Sequence, residues 1–122
     1  MVVYGIKNCS KVKKTLIWFD NHKIEYDFYD LKKNKLNAST LTTWFKKLPA
    51  DLTWDMVINK SGMTWRNLTE REKKYADKQD TAIKLIIDKP TIMKRPLVEI
   101  DKKLVSLGFD ETKFNQLFKN KK

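Results

Sequence analysis

A chain of 122 residues, 41% of them hydrophobic, has enough apolar side chains for one compact core without disulfides or a structural metal. One cysteine excludes an internal disulfide, one histidine excludes a histidine-rich metal site, and no apolar run approaches the roughly 20 residues that span a bilayer. The N-terminus lacks a basic region followed by a long apolar stretch, so the expectation is one cytoplasmic domain with no metal and no membrane span. The formal charge of +11 invites a nucleic-acid reading. Against it, the lysines fall in pairs along the whole chain and arginine appears only at Arg66, Arg71 and Arg95, which predicts solvated faces and not a phosphate-reading stripe.

Val2-Val3-Tyr4 is β-branched and aromatic and reads as a short strand ended by Gly5. From Ser10, Val12, Leu16, Ile17 and Phe19 recur near helical spacing, predicting a first helix to about Asn21-His22. The alternation from Ile24 to Asp30 predicts a strand with one buried face. After the polar connection Lys32-Lys33-Asn34-Lys35, Asn37 is placed to cap a helix carrying Leu41, Trp44, Phe45 and Leu48, which Pro49 stops.

The next stretch reads as helix and turn. Thr53 to Asn59 is a short amphipathic piece with Gly62 as its terminator. Thr69 and Glu72 have capping-box spacing, opening a helix to about Asp77. Another fits Asp80 to Asp88, with Ile83, Leu85, Ile86 and Ile87 on its apolar face and Pro90 ending it. Leu97 to Ile100 and Leu104 to Leu107 flank Asp101-Lys102-Lys103 in the pattern of a β-hairpin, closed by Gly108. Asp110 is placed to cap a last helix carrying Phe114, Leu117 and Phe118, and Asn120-Lys121-Lys122 should fray. The order is β-α-β, helices, β-β-α: an α/β fold whose mixed sheet is interrupted by helices.

Cys9 falls where the first strand gives way to the first helix. Backbone N–H groups at a helix start carry partial positive charge, so a cysteine there ionises more readily than elsewhere, and the thiolate is the reactive form. Lys11, Lys13 and Lys14 add cationic charge, and Lys13, four residues on, shares the cysteine's side of the helix and is the candidate thiolate stabiliser. The competing reading is a small buried hydrophobe without chemistry. The second cysteine of a C-x-x-C pair would stand at Val12, and the chain has no other cysteine. An oxidoreductase built on Cys9 therefore needs an external second thiol, with glutathione or a glutaredoxin-type protein the natural source.

Three blocks carry a resemblance. The opening Tyr4-Gly5-Ile6-Lys7-Asn8-Cys9, the central Gly62-Met63-Thr64-Trp65-Arg66-Asn67-Leu68 and Pro90-Thr91-Ile92-Met93-Lys94-Arg95-Pro96-Leu97-Val98 occur in the order and spacing of the arsenate reductase C (ArsC) family, most closely its YffB-like subgroup. The resemblance runs from Met1 to about Phe118. It implies a thioredoxin-like fold formed by about 1–36 and 90–122, with a helical insertion at about 37–89. It also implies a cis proline, Pro96, beside the cysteine. Arg95 would then turn its five-donor guanidinium toward the thiol to hold an oxyanion or a glutathione carboxylate; the competing reading is a surface ion pair. Arg66 and Lys60 are further candidate substrate-binding residues, Lys60 replacing in part an arginine that the subgroup carries at Ser61, and Trp65 is either a ligand contact or a core aromatic.

Departures from the family bear on substrate. Arsenate reductases of this family carry three arginines around the cysteine, and only Arg95 matches one. Asn59 stands at the second, and Val105-Ser106-Leu107-Gly108-Phe109 offers none for the third. The family's histidine four residues before the cysteine is Gly5, and His22 is a capping or surface residue and not its equivalent. The resemblance thus implies a monomeric thiol reductase with glutathione as co-substrate and no tightly bound cofactor. The alternatives are arsenate reduction by the same cysteine and a non-enzymatic, Spx-like regulator that docks on RNA polymerase.

Overall fold

The computed structural model describes residues 1–119. Among them four strands, β1 (Val2–Gly5), β2 (Asp27–Asp30), β3 (Leu97–Ile100) and β4 (Lys103–Leu107), form one mixed sheet in the order β2-β1-β3-β4. β1 runs parallel to β2 and antiparallel to β3, which pairs with β4 as a hairpin. Helix α1 (Ser10–Asn21) makes the β1–β2 crossover and α6 (Glu111–Phe118) follows β4. Between β2 and β3 the chain forms α2 (Ala38–Lys46), α3 (Met63–Arg66), α4 (Glu70–Lys73) and α5 (Gln79–Asp88). The fold is the thioredoxin-like α/β arrangement that the blocks imply.

Successive strand residues point to opposite faces, so the short strands feed two cores. Val3 and Val98 join Trp18, Phe19, Phe114 and Phe118 beneath α1 and α6. Tyr4, Leu97 and Leu104 join Leu41, Trp44, Leu85 and Ile86 beneath the inserted helices. The caps fall where predicted: Asn37 Oδ1 accepts from Thr40 N at 2.9 Å, Asp110 Oδ1 from Lys113 N at 3.0 Å, and Thr69 and Glu72 exchange both capping-box bonds.

Several boundaries differ from the sequence reading. β2 begins at Asp27 and not at Ile24, because Lys23 turns through a φ of 56° and Ile24 N donates to Phe19 O at 2.9 Å, closing α1. The alternation reported burial of Ile24, not strand pairing. Gly62 does not terminate the Thr53–Asn59 segment, whose regular part is a 3₁₀ turn over Trp54–Val57; it is the N-cap of α3, a helix the sequence reading did not predict. The helix expected to reach Asp77 changes to a 3₁₀ turn at Lys74–Asp77 after α4. The hairpin turns on Asp101 and Lys102, both at positive φ (52° and 64°). The expectation of fraying at Asn120-Lys121-Lys122 lies outside the described residues.

Gly5 is where the sheet meets α1. A Cβ there would stand 2.7 Å from Val12 Cγ2, a separation real Cβ atoms do not reach, so α1 can lie this close to β1 only over a glycine. The same contact leaves no room for a histidine at position 5.

Candidate active site

The turn between β1 and α1 closes with Cys9 N donating to Ile6 O at 3.2 Å, and Cys9 O then accepts from Lys13 N at 3.0 Å as the first helical bond. Cys9 is therefore the N-cap of α1, in extended conformation (φ −89°, ψ 125°) and only partly exposed. Its sulfur makes no capping hydrogen bond of normal geometry. Burial is the largest single influence on its thiol and pushes its pKa up. The Val12 and Lys11 N–H groups, followed by the Arg95 guanidinium as hydrogen-bond donor and as charge, together outweigh burial and hold the thiol below its ordinary value. The Lys13 side chain is exposed, and the cation that holds the thiol down is Arg95.

Arg95 arrives from the other end of the chain. The Arg95–Pro96 peptide is cis, Pro96 is buried, and its carbonyl accepts from Gly108 N at 2.8 Å, which ties the residue before β3 to the end of β4. Arg95 Nη1 donates to Thr91 O at 2.6 Å, while its buried Nε has no hydrogen-bond partner among the described residues. A half-buried guanidinium with a spare donor next to a thiol is an anion-receiving group and not the surface ion pair of the competing reading.

Cys9 and Arg95 share a cleft of about 460 Å³. Lys11 and Lys94 add positive charge, Ser10 and Asn59 are neutral and polar, and Met93, Leu107 and Phe109 supply apolar surface; among the described residues no carboxylate lines it. The inserted segment reaches this cleft through a short antiparallel bridge: Ile58 pairs with Met93, Lys94 N donates to Val57 O at 2.8 Å, and Asn59 N donates to Ile92 O at 2.8 Å. Asn59 Oδ1 is committed to Ser61 N at 3.1 Å, which leaves its amide nitrogen toward the Gly62 backbone, 3.0 Å from where a Cβ would stand.

The other predicted residues lie outside this cleft. Arg66 is exposed and its Nη2 donates to Ser61 O at 2.9 Å. Lys60 is exposed, with its Nζ 5.4 Å from the centroid of the Trp65 ring, and Lys73 Nζ approaches the same ring at 5.8 Å. Trp65 packs partly buried against the core under the insertion. His22 is the C-cap of α1, its ring stacked on Trp18 at 3.7 Å. The cleft adds Lys94, Met93 and Phe109, which sequence reasoning did not single out as site residues; Lys94 and Met93 stand beside Arg95 in the third block, and Phe109 in the segment matched to the family's third arginine. Among the described residues no three His, Cys, Asp or Glu side chains gather as metal ligands, and no helix is long and apolar enough to cross a membrane.

A four-stranded mixed sheet with a cysteine capping its first helix and a cis proline entering the third strand places the protein in the thioredoxin-like class. The chain belongs to the ArsC family, whose sequence model matches residues 4–117. An uncharacterized protein of Haemophilus influenzae is 38% identical over 118 residues, covering 97% of this chain and 98% of that one. The solved structure of a YFFB protein superposes with a TM-score of 0.79 at 33% identity, over 98% of this chain and 96% of the other. An arsenate reductase (ArsC) related protein from Brucella melitensis superposes with a TM-score of 0.70 at 37% identity, over 97% and 93%.

Proposed function

We propose that the protein is a glutathione-dependent thiol–disulfide oxidoreductase with Cys9 as its single nucleophile. The observation that carries this reading is a helix-capping thiol of lowered pKa in a cleft that holds Arg95, Lys11 and Lys94 and, among the described residues, no carboxylate. In the first step the Cys9 thiolate attacks the glutathione sulfur of a mixed disulfide, forming a Cys9–glutathione disulfide and expelling the other sulfur as a thiolate that takes up a proton. A second glutathione thiolate, or the thiol of a glutaredoxin-type protein, then attacks the glutathione sulfur of that adduct. It leaves as a disulfide with the first glutathione and returns Cys9 to the thiolate. Each step breaks one S–S bond and forms another, so electrons balance and no resident cofactor is required. Arg95 binds a glutathione carboxylate and favours both the attacking and the departing Cys9 thiolate.

Arsenate is the weaker substrate on this reading. The positions matching the family's other arginines are filled in the cleft by Asn59 and by the segment containing Leu107 and Phe109, neither of which carries charge for an oxyanion. The test is incubation with glutathione disulfide followed by intact-mass and peptide mapping, and turnover of a small glutathione mixed disulfide with glutathione as reductant. One glutathione on Cys9, turnover by the native protein and none by Cys9→Ser are expected. Absence of the adduct together with an unshifted thiol would overturn the proposal and favour a docking protein. Reduction of arsenate at a rate matching the disulfide would reverse the order of substrates.

A further inference from the structure

A second cleft, of about 340 Å³, shares no residue with the Cys9 cleft. It is lined by Glu99, Lys102, Tyr4 and Trp44 with the hydroxyl-bearing Ser39 and Thr43. Glu99 lies half-buried in β3. Its Oε2 accepts from Trp44 Nε1 at 2.6 Å and from Tyr4 Oη at 3.2 Å. Its Oε1 has no hydrogen bond, and neither oxygen forms an ion pair, among the described residues. Burial, and then the Glu99 charge, push the Tyr4 phenol above its ordinary value, so Tyr4 remains a donor to that carboxylate.

Two charges in this cleft go beyond what its hydrogen bonds and its turn require. A glutamine at position 99 would accept the same two hydrogen bonds without the cost of withdrawing a charge from water, yet the chain keeps a carboxylate there that forms no ion pair among the described residues. Lys102 occupies the β3–β4 turn at a φ of 64°, a left-handed conformation that favours glycine, and it brings a cation to the same cleft. One negative and one positive group beside hydroxyls are complementary to a small molecule that carries both charges.

We propose that this cleft binds a free amino acid as its zwitterion, the ammonium on Glu99 and the carboxylate on Lys102. The indole N–H of Trp44, which is fully buried and bonded to Glu99, reports on occupancy. The test titrates the intact protein with single L-amino acids and follows that resonance in ¹H–¹⁵N spectra, assigned with Trp44→Phe, using putrescine and acetate as controls that carry charge of one sign only. At least one amino acid should move the resonance saturably while neither control does. Loss of one charge-assisted contact should weaken binding about tenfold in Glu99→Gln and in Lys102→Ala. Lys102→Ala, at an exposed turn, keeps the Trp44–Glu99 bond and so guards against a folding artefact in Glu99→Gln. No saturable shift with any amino acid, an equal shift with putrescine, or binding unchanged in both variants would overturn the proposal. Cys9→Ser should bind as the native protein does.

Discussion

The sheet carries two unlike cores, and the difference explains how the thiol is held. Under α1 and α6 the core is a stack of aromatic rings: Phe19 and Phe114 lie with centroids 5.0 Å apart, and Trp18 and Phe118 close around them. Under the inserted helices it is mostly aliphatic, with Tyr4, Trp44 and Phe45 among its members and Trp44 the largest fully buried one. The first core sits on two helices of 12 and 8 residues and fixes the axis of α1, hence the position of Cys9. The second rests on α2 and α5, of nine and ten residues, while α3 and α4, of four residues each, bury no side chain. It reaches the cleft through the Val57–Asn59 and Ile92–Lys94 bridge. The backbone of the nucleophile is thus set by the helix that the aromatic half seats, while its side chain and the facing wall pack on the other half.

The largest expected effect breaks the aromatic core. Phe114→Ala should cost about 3–5 kcal/mol in chemical denaturation, since the ring is fully buried among four other rings. Within the mostly aliphatic core, Leu85→Ala should fall lower, toward 2 kcal/mol of a range of about 2–5, as the aliphatic side chains around it close on the gap. An equal cost at both sites would remove the contrast between the cores.

Gly5→Ala comes next and sharpens the claim that α1 is seated on β1. The new methyl meets Val12 Cγ2 at 2.7 Å, so a loss of about 1–3 kcal/mol is expected, accompanied by slower alkylation of Cys9 as the helix start shifts. Thr69→Ala tests the insertion alone: losing the Thr69–Glu72 capping box should cost about 1 kcal/mol and leave the alkylation rate unchanged.

The smallest effect on stability is the most informative about the site. The folded-state pKa of Cys9 is depressed, so between the folded and unfolded pKa values the unfolded chain binds the extra proton. That contribution to stability is fully present above the unfolded value and is lost as pH falls through the folded one. Arg95→Ala should flatten this dependence and move the alkylation midpoint upward. Lys13→Ala should change neither, and a fall in reactivity there would restore the role that sequence spacing assigned to Lys13.

The strands and helices were legible where one local signal decided them: Asn37, Thr69 and Asp110 cap helices by side-chain bonds that their spacing already announces. Cys9 was legible for the same reason, as a polar residue at a strand-to-helix step. What the chain did not announce depends on distant partners. Lys13 shares a helix with Cys9, but four residues of spacing give no information on whether a flexible side chain turns to the sulfur or to water. Asn59 read as a missing arginine; it lines the cleft because Ile58 pairs with Met93, a contact between segments 35 residues apart. Arg66 lies in a family block, yet its guanidinium is committed to Ser61 O. β2 came out too long because alternation records which side chains are buried, and Ile24 is buried without strand pairing.

The most direct measurement is the alkylation rate of Cys9 across pH, for the native protein and Arg95→Ala, each with and without glutathione disulfide. The account predicts a native midpoint below that of an ordinary cysteine, an upward shift in Arg95→Ala, and protection of Cys9 by a single glutathione adduct. A midpoint at or above the ordinary value, unmoved by Arg95→Ala and with no adduct, would contradict it.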